Sequence, residues 1–291
     1  MKVLITGASG FIGRNLVEFL STRHQVTAPA SGDLNLIDLE RLRHFLKSGH
    51  FDVVIHAATW NATRTSTKDL SLVLENNLRM FFNIENCRDY FGKLLNFGSG
   101  AEFAREHWMP MMKESYLGEH VPADQYGLSK YLIARYIESS RTAIYNLRLF
   151  GVYGKYEDWR IRFISQSCCR ALAGIPITIN QNVRFDYLLV DDLAQIVEWF
   201  IENDPPQRAY NVCTGQSCDL RKLAEMVLYY STNKVEVRVV ADTMGREYSG
   251  DNSRLLSALG PFQFSDKKES IGRLLSWYQD HSSLIEPSVL A

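Results

Sequence analysis

The feature that most constrains the fold is an alternation, through the first half of the chain, of short uninterrupted apolar runs with amphipathic helical stretches. "KVLIT" (2–6) precedes a helical 11–21, "QVTA" (25–28) precedes 38–47, and "DVVIHAA" (52–58) precedes a long helical 67–90. "KLLNFG" (93–98) precedes 126–139, and "TAIYNLRLF" (142–150) closes the series. Strands that are apolar throughout are buried on both faces, and strands separated by a helix run parallel through right-handed crossovers. The pattern therefore predicts a doubly wound α/β fold.

Beyond 155 the pattern is less regular. A helix is expected at 159–173, short strands near 177–179 and 185–190, and a helix at 191–203. "AYNVC" (209–213), a helix at 219–230, a strand at 235–240 and helices near 252–259 and 267–279 complete the chain. We read 1–155 as a dinucleotide-binding domain and 156–281 as a smaller α/β substrate lobe interleaved with the end of the sheet. The last stretch, 282–291, reads as a loose tail. A net charge of −1 and a pI near 6.7 give no electrostatic reason to expect a nucleic acid or an anionic membrane as partner. No window approaches the roughly 20 apolar residues of a membrane span, and the N-terminus reaches glycine at position 7, too early for a signal peptide. Five cysteines without C-x-x-C spacing read as reduced thiols of a cytoplasmic protein, with Cys168 and Cys169 a packed core pair.

"VLITGASGFIGRNLVEFL" places Gly7, Gly10 and Gly13 between the first strand and the first helix. A chain that turns tightly there, brings amides against a pyrophosphate and packs its helix closely on the sheet needs glycines at such places. The spacing is G-x-x-G-x-x-G rather than G-x-G-x-x-G, but its place between an apolar strand and an amphipathic helix marks a Rossmann-type dinucleotide site. An NAD site usually carries an acid at the end of the second strand to bind the free ribose hydroxyl. Here Ala30 and Ser31 stand in that place, with Asp33 just beyond, and Arg14 follows Gly13 as a candidate ligand for a 2′-phosphate. These features favour NADP over NAD.

In "DQYGLSKYLIARY", Tyr126 and Lys130 are one helical turn apart, hence on one face. Phenol and ammonium both titrate near about 10 when free. An ammonium beside a phenol favours phenolate, which suits a proton donor and acceptor working near neutrality. The apolar run 93–98 ends in "GSG", so Ser99 stands at the carboxyl edge of the sheet, where doubly wound folds bind ligands.

With these motifs in order, the chain resembles the extended short-chain dehydrogenase/reductase superfamily in its NAD-dependent epimerase/dehydratase branch. "GASGFIG" resembles the family's glycine loop, "IHAAT" (55–59) its third strand, "ENNLRMFFN" (75–83) its long helix, and "GSGAEF" and "YGLSK" its catalytic segments. "LRLFGVYG" (147–154), "FDYLLVDDLA" (185–194), "YNVCTG" (210–215) and "DNSRLLSALG" (251–260) match later blocks. The resemblance implies Ser99, Tyr126 and Lys130 as the catalytic set: Ser99 bonded to the reacting oxygen, Tyr126 as acid/base, Lys130 on the nicotinamide ribose. It implies cofactor contacts from the glycine loop with Phe11, Ile12 and Arg14, from Ser31, Asp38 and Leu39, from Ala57, Ala58 and Thr59, and from Asn77 and Phe150. A nucleotide-sugar substrate would meet Ser99, with Arg160, Arg184 or Arg246 on its diphosphate, because a guanidinium binds two phosphate oxygens at once. No metal is implied.

The departures from the family narrow the chemistry. Dehydratases of the family follow the hydroxyl residue with Asp-Glu, whereas this chain has Gly100 and Ala101; epimerase-reductases like GDP-fucose synthase carry a cysteine at the place of Ala101, and their histidine falls near Arg162. A base from elsewhere in the chain would be a residue such as Glu102 or His107. What remains is hydride transfer to a 4-keto-6-deoxy-hexose from NADPH, 4-epimerisation with tightly held NAD, or a non-catalytic NADP-binding scaffold. The retained Ser99, Tyr126 and Lys130 argue against the scaffold. Surplus apolar residues on 67–90 and 126–139 (Phe81, Phe82, Tyr131, Ile133, Tyr136, Ile137) point to a homodimer, since family members pair these helices across a two-fold axis.

Overall fold

The computed structural model describes residues 1–60, 63 and 65–290. Strands β1 (Lys2–Thr6), β2 (Gln25–Thr27), β3 (Phe51–His56), β4 (Phe91–Ser99) and β5 (Ile144–Leu149) alternate with helices α1 (Phe11–Leu20), α2 (Leu39–Gly49), α3 (Val73–Glu85) and α4 (Gln125–Ser139). After β5 come β6 (Gly151–Tyr153), α5 (Phe163–Leu172), β7 (Ile177–Gln181), β8 (Arg184–Leu189), α6 (Val190–Glu202) and β9 (Ala209–Val212). The chain ends with β10 (Ser217–Asp219), α7 (Leu220–Tyr230), β11 (Val237–Ala241), α8 (Ser253–Leu259), α9 (Lys267–Asp280) and α10 (Pro287–Leu290).

The main sheet has six strands in the order β2-β1-β3-β4-β5-β9, all parallel. One apolar cluster fills the face covered by α1 and α6, including Ile5, Leu16, Ile55, Leu147, Ile196 and Phe200. A second fills the face covered by α2, α3 and α4, including Leu4, Leu46, Val54, Phe81, Leu94 and Ile137. The strands are apolar on both sides because helices cover both sides.

The smaller lobe is not a separate run of chain. Strand β9 pairs with β5 at the edge of the main sheet, and α6 and Leu255 of α8 pack into the first cluster. What stands apart is a third cluster in which Cys168 and Cys169 of α5 meet Leu223 and Val227 of α7 and Ile271 and Tyr278 of α9. Beside it lie the parallel pair β7 and β11 and the sheet β10-β8-β6.

Three expectations change. The long helix at 67–90 is broken: a 3-10 turn at Leu70–Leu72, capped by Asp69 on the Ser71 amide, precedes α3, and another at Arg88–Tyr90 follows it. Strands β6 and β10 were not foreseen, because three residues are too few to show a period. The tail is docked. Leu290 is 2% exposed in the third cluster, and Arg170 donates to its carbonyl at 2.6 Å. Removing residues 287–291 should therefore cost about 2 kcal/mol, the value of burying one leucine. Urea denaturation would read this as a lower midpoint; an unchanged midpoint would mean the tail contributes nothing.

Candidate active site

The glycine loop is fixed by close approaches. Gly7 has φ +71°, and a Cβ there would come within 2.6 Å of the Ala58 backbone; a Cβ on Gly13 would overlap the Gly7 carbonyl. Only glycine lets β1, α1 and the end of β3 meet this tightly. Gly10 caps α1 without a side-chain hydrogen bond, so the first amides of a ten-residue helix stand ready for an anion. That cradle fits the pyrophosphate of a dinucleotide, with Phe11 and Ile12 in its first turn.

Across the loop, Ala57, Ala58 and Thr59 follow β3. Thr6 Oγ1 holds this segment, accepting from the Ala58 amide at 3.4 Å and bonding His56 Nδ1 at 2.9 Å. Burial, and secondarily the Lys130 charge, press the His56 imidazole down to about 3, so it stays neutral. Asn77 is spent on the same turn: its carbonyl oxygen accepts from the Trp60 amide at 2.7 Å and from Thr59 Oγ1 at 3.2 Å. At the adenine end, Ser31 is exposed in a turn, while exposed Asp38 caps α2 on the Arg41 amide at 3.1 Å, with Leu39 beside it. The Arg14 guanidinium lies 3.6 Å over the ring of Tyr156 and 3.9 Å from Glu18. None of these contacts is with Ala30 or Ser31.

Ser99 ends β4, and each flanking glycine makes room for a particular side chain. A Cβ on Gly98 would collide with the carboxylate of Glu102 and the amide of Asn146; one on Gly100 would come within 2.5 Å of the Tyr248 hydroxyl. Glu102 is fully buried. It accepts from the Ser99 amide at 2.9 Å, from Asn146 Nδ2 at 3.2 Å and from Arg148 Nε at 2.6 Å. Arg148, also fully buried, donates to Asn211 Oδ1 at 3.0 Å, and Asn211 Nδ2 donates to the carbonyls of Met112 and Asp251. The serine turn is thus bound to β5, to β9 and to the segment before α8.

Helix α4 begins against this turn. Asp124 accepts from the Gly127 amide at 2.8 Å, and a Cβ on Gly127 would lie 3.0 Å from the Ala101 carbonyl. Tyr126, the residue before Gly127, therefore enters beside this turn. The buried Lys130 Nζ lies 5.9 Å from the Tyr126 ring centre and donates to the Phe97 carbonyl at 2.7 Å. One proton of the ammonium is anchored below the sheet edge; the others remain for partners in the cleft. Phe150, 8% exposed, packs against Phe103 and Tyr248 along the same wall.

The arginines are not gathered. Arg184 donates to Ser217 and pairs with Glu247 at 3.2 Å. Arg246 donates to the Glu106 carbonyl, tethering the segment after the serine turn. Arg160 is held in a fork by Asp158 at 2.7 and 2.9 Å, and with Arg162, Phe11 and Tyr156 it lines a cleft. His107 stacks on His120 with ring centres 3.6 Å apart.

A family model described as NAD dependent epimerase/dehydratase family matches residues 3–213. The chain belongs to that family. Membership makes it an NAD(P)-dependent enzyme of the short-chain dehydrogenase/reductase type. Among curated relatives of this epimerase/dehydratase chain, ADP-L-glycero-D-manno-heptose-6-epimerase of Cupriavidus pinatubonensis is 24% identical, with 78% of this chain and 77% of that protein covered. Among solved structures, the NADP-bound GDP-mannoheptose C4 reductase of Campylobacter jejuni superposes with a TM-score of 0.82 at 21% identity, covering 96% of this chain and 98% of that one. The UDP-glucose 4-epimerase of Thermus thermophilus, in complex with NAD, gives 0.80 at 23% identity, with 96% and 99% covered. These likenesses establish the Rossmann-type fold.

Two groups escaped the sequence reading. Arg148 is the one charged residue in an otherwise uncharged strand, "IYNLRL", which signals a buried partner; that partner is Glu102, which residue order alone presents as a candidate base. Tyr248 carried no local signal. Removing one member of the buried pair, as in Glu102→Ala, leaves an uncompensated charge and should cost about 3–5 kcal/mol. Chemical denaturation measures this; a loss below about 1 kcal/mol, typical of exposed pairs, would mean the pair does not anchor the turn.

Proposed function

We propose that the protein reduces the C4 ketone of a nucleotide-linked 4-keto-6-deoxy sugar, using NADPH. The carrying observation is the make-up of the serine turn. A hydroxyl (Ser99), a phenol (Tyr126) and an ammonium (Lys130) stand at one sheet edge, while Gly100 and Ala101 are unable to move a proton and Glu102 is fully buried and bonded on both oxygens. Chemistry that needs a base over C3 or C5 has no group for it there. The relatives' own activities on nucleotide-linked sugars support the substrate class.

The cofactor, when bound, supplies the hydride. Ser99 donates to the ketone oxygen and Tyr126 protonates it; each donor aimed at the developing charge is worth on the order of 3 kcal/mol. Lys130 stands one helical turn from Tyr126, and the protons it does not give to the Phe97 carbonyl hold the nicotinamide ribose. Arg162 and Arg160 line one cleft and bind the diphosphate there, Arg160 by exchanging its Asp158 fork for phosphate oxygens; Arg184 and Arg246 lie outside that cleft and serve the lobe. NADPH is favoured by the lack of an acid at Ala30 and Ser31, without Arg14 as its reader.

Incubated with deuterated NADPH and a 4-keto-6-deoxy nucleotide sugar, the enzyme should place one deuterium at C4, with no solvent exchange at C3 or C5. Exchange there would replace this reading by an epimerase-reductase; retained NAD with no net consumption would replace it by a 4-epimerase. Tyr126→Phe should lower turnover by roughly a hundredfold or more with cofactor affinity preserved, and full activity would refute the mechanism.

We further propose a homodimer through α3 and α4. Phe81, Ile133 and Ile137 are buried in their own core and are no argument for it, but Leu132 is 40% exposed beside the partly exposed Tyr131. Light scattering at micromolar concentration should give twice the chain mass; a monomer mass would refute it.

A further inference from the structure

Tyr248 comes to the serine turn from the far end of the chain. Its backbone donates to the Arg184 carbonyl and accepts from the Asp186 amide at 2.9 and 3.0 Å, which fixes it along β8. Its ring is walled by Trp108, Phe150 and Phe185, with ring centres 4.1, 5.1 and 5.5 Å away. The hydroxyl reaches the space that a side chain at position 100 would fill. That space adjoins Ser99, whose side chain, like the Tyr126 phenol, is among the groups facing the Tyr248 hydroxyl.

A serine hydroxyl has one proton to give and two lone pairs. Ser99 Oγ already accepts from the Ala101 amide at 3.2 Å. We propose that Tyr248 is a positioning residue that donates its phenol proton to the second lone pair of Ser99 and so commits the Ser99 proton to the substrate oxygen. With both lone pairs engaged, the serine can act only as a donor toward the cleft, the role needed where a carbonyl oxygen gains negative charge. Burial raises the Tyr248 phenol above its ordinary range, so it stays protonated through the working pH and is itself no base. Gly100 follows from the same arrangement: the residue whose side chain would carry an acid in a dehydratase is replaced by space for a phenol from the other lobe.

The inference rests on the carbonyl chemistry proposed above, but on neither its direction nor its substrate. The test is a double-mutant cycle of Tyr248→Phe and Ser99→Ala. Tyr248→Phe should lower kcat about tenfold, the size of one lost hydrogen bond, with KM and NADPH affinity unchanged within about twofold. In the Ser99→Ala background the same substitution should change nothing. An equal loss in both backgrounds, or none in either, overturns the proposal. If Tyr248→Phe folds poorly, Gly100→Ala, which pushes the phenol away, takes its place in the cycle with the same outcomes. Should the wild type epimerise rather than consume NADPH, the reductase reading fails alone and the coupling is read from the epimerisation rate. A crystal structure of the wild type gives a readout without any substrate: Ser99 Oγ and the Tyr248 oxygen should lie within hydrogen-bond reach, and a separation well beyond about 3.2 Å overturns the proposal.

Discussion

The site depends on one buried ion pair. Glu102 and Arg148 meet at 2.6 Å with no exposure on either side, in a region where an unpaired charge would be costly. The Ser99 amide and Asn146 also donate to Glu102, and Arg148 donates to Asn211, while the second terminal nitrogen of Arg148 is buried without a partner. Because these partners sit on β4, β5 and β9, the network fixes the relative height of three strand ends. Ser99 is the last residue of one of them. Its position is therefore set by a polar lattice beneath it rather than by the loop that follows.

The same lattice joins the two parts of the chain. Asn211 reaches the carbonyls of Met112 and Asp251 at 2.8 and 3.0 Å, and Glu114 accepts from the Asn211 amide at 2.9 Å. Met112 and Asp251 in turn bond one another through their backbones. The insertion between β4 and α4 is thereby pinned to the segment that carries Arg246 and Tyr248. Closing the wall of the cleft and placing a phenol against Gly100 are two consequences of one set of hydrogen bonds.

The cofactor side is built on a different principle. There the fit comes from removing side chains: Gly7 against Ala58 and Gly13 against Gly7 leave backbone on backbone, and the amides of α1 are left without a side-chain cap. Asn77 and Thr6 hold the opposite wall by hydrogen bonds to Trp60 and Ala58. One half of the cleft is thus shaped by backbone contact and the other by buried polar groups. This agrees with a constant dinucleotide on one side and a substrate to be discriminated on the other.

What could be read without coordinates was whatever is local in the chain. Apolar runs alternating with amphipathic stretches dictated the parallel sheet, the spacing of Gly7, Gly10 and Gly13 dictated the turn into α1, and the one-turn separation of Tyr126 and Lys130 put both on one helix face. These follow from backbone geometry, whose periods of 2 and 3.6 are written directly into residue order. The roles of Glu102, Tyr248 and the arginines were decided only by tertiary structure. Glu102 is three residues from Ser99 and reads locally as a base, yet Arg148, on another strand, turns it into an anchor. Arg14 and Arg184 read as phosphate ligands until Tyr156 and Glu247 claim them. A charged or hydroxyl side chain takes its function from whichever partner reaches it, and those partners lie far away along the chain.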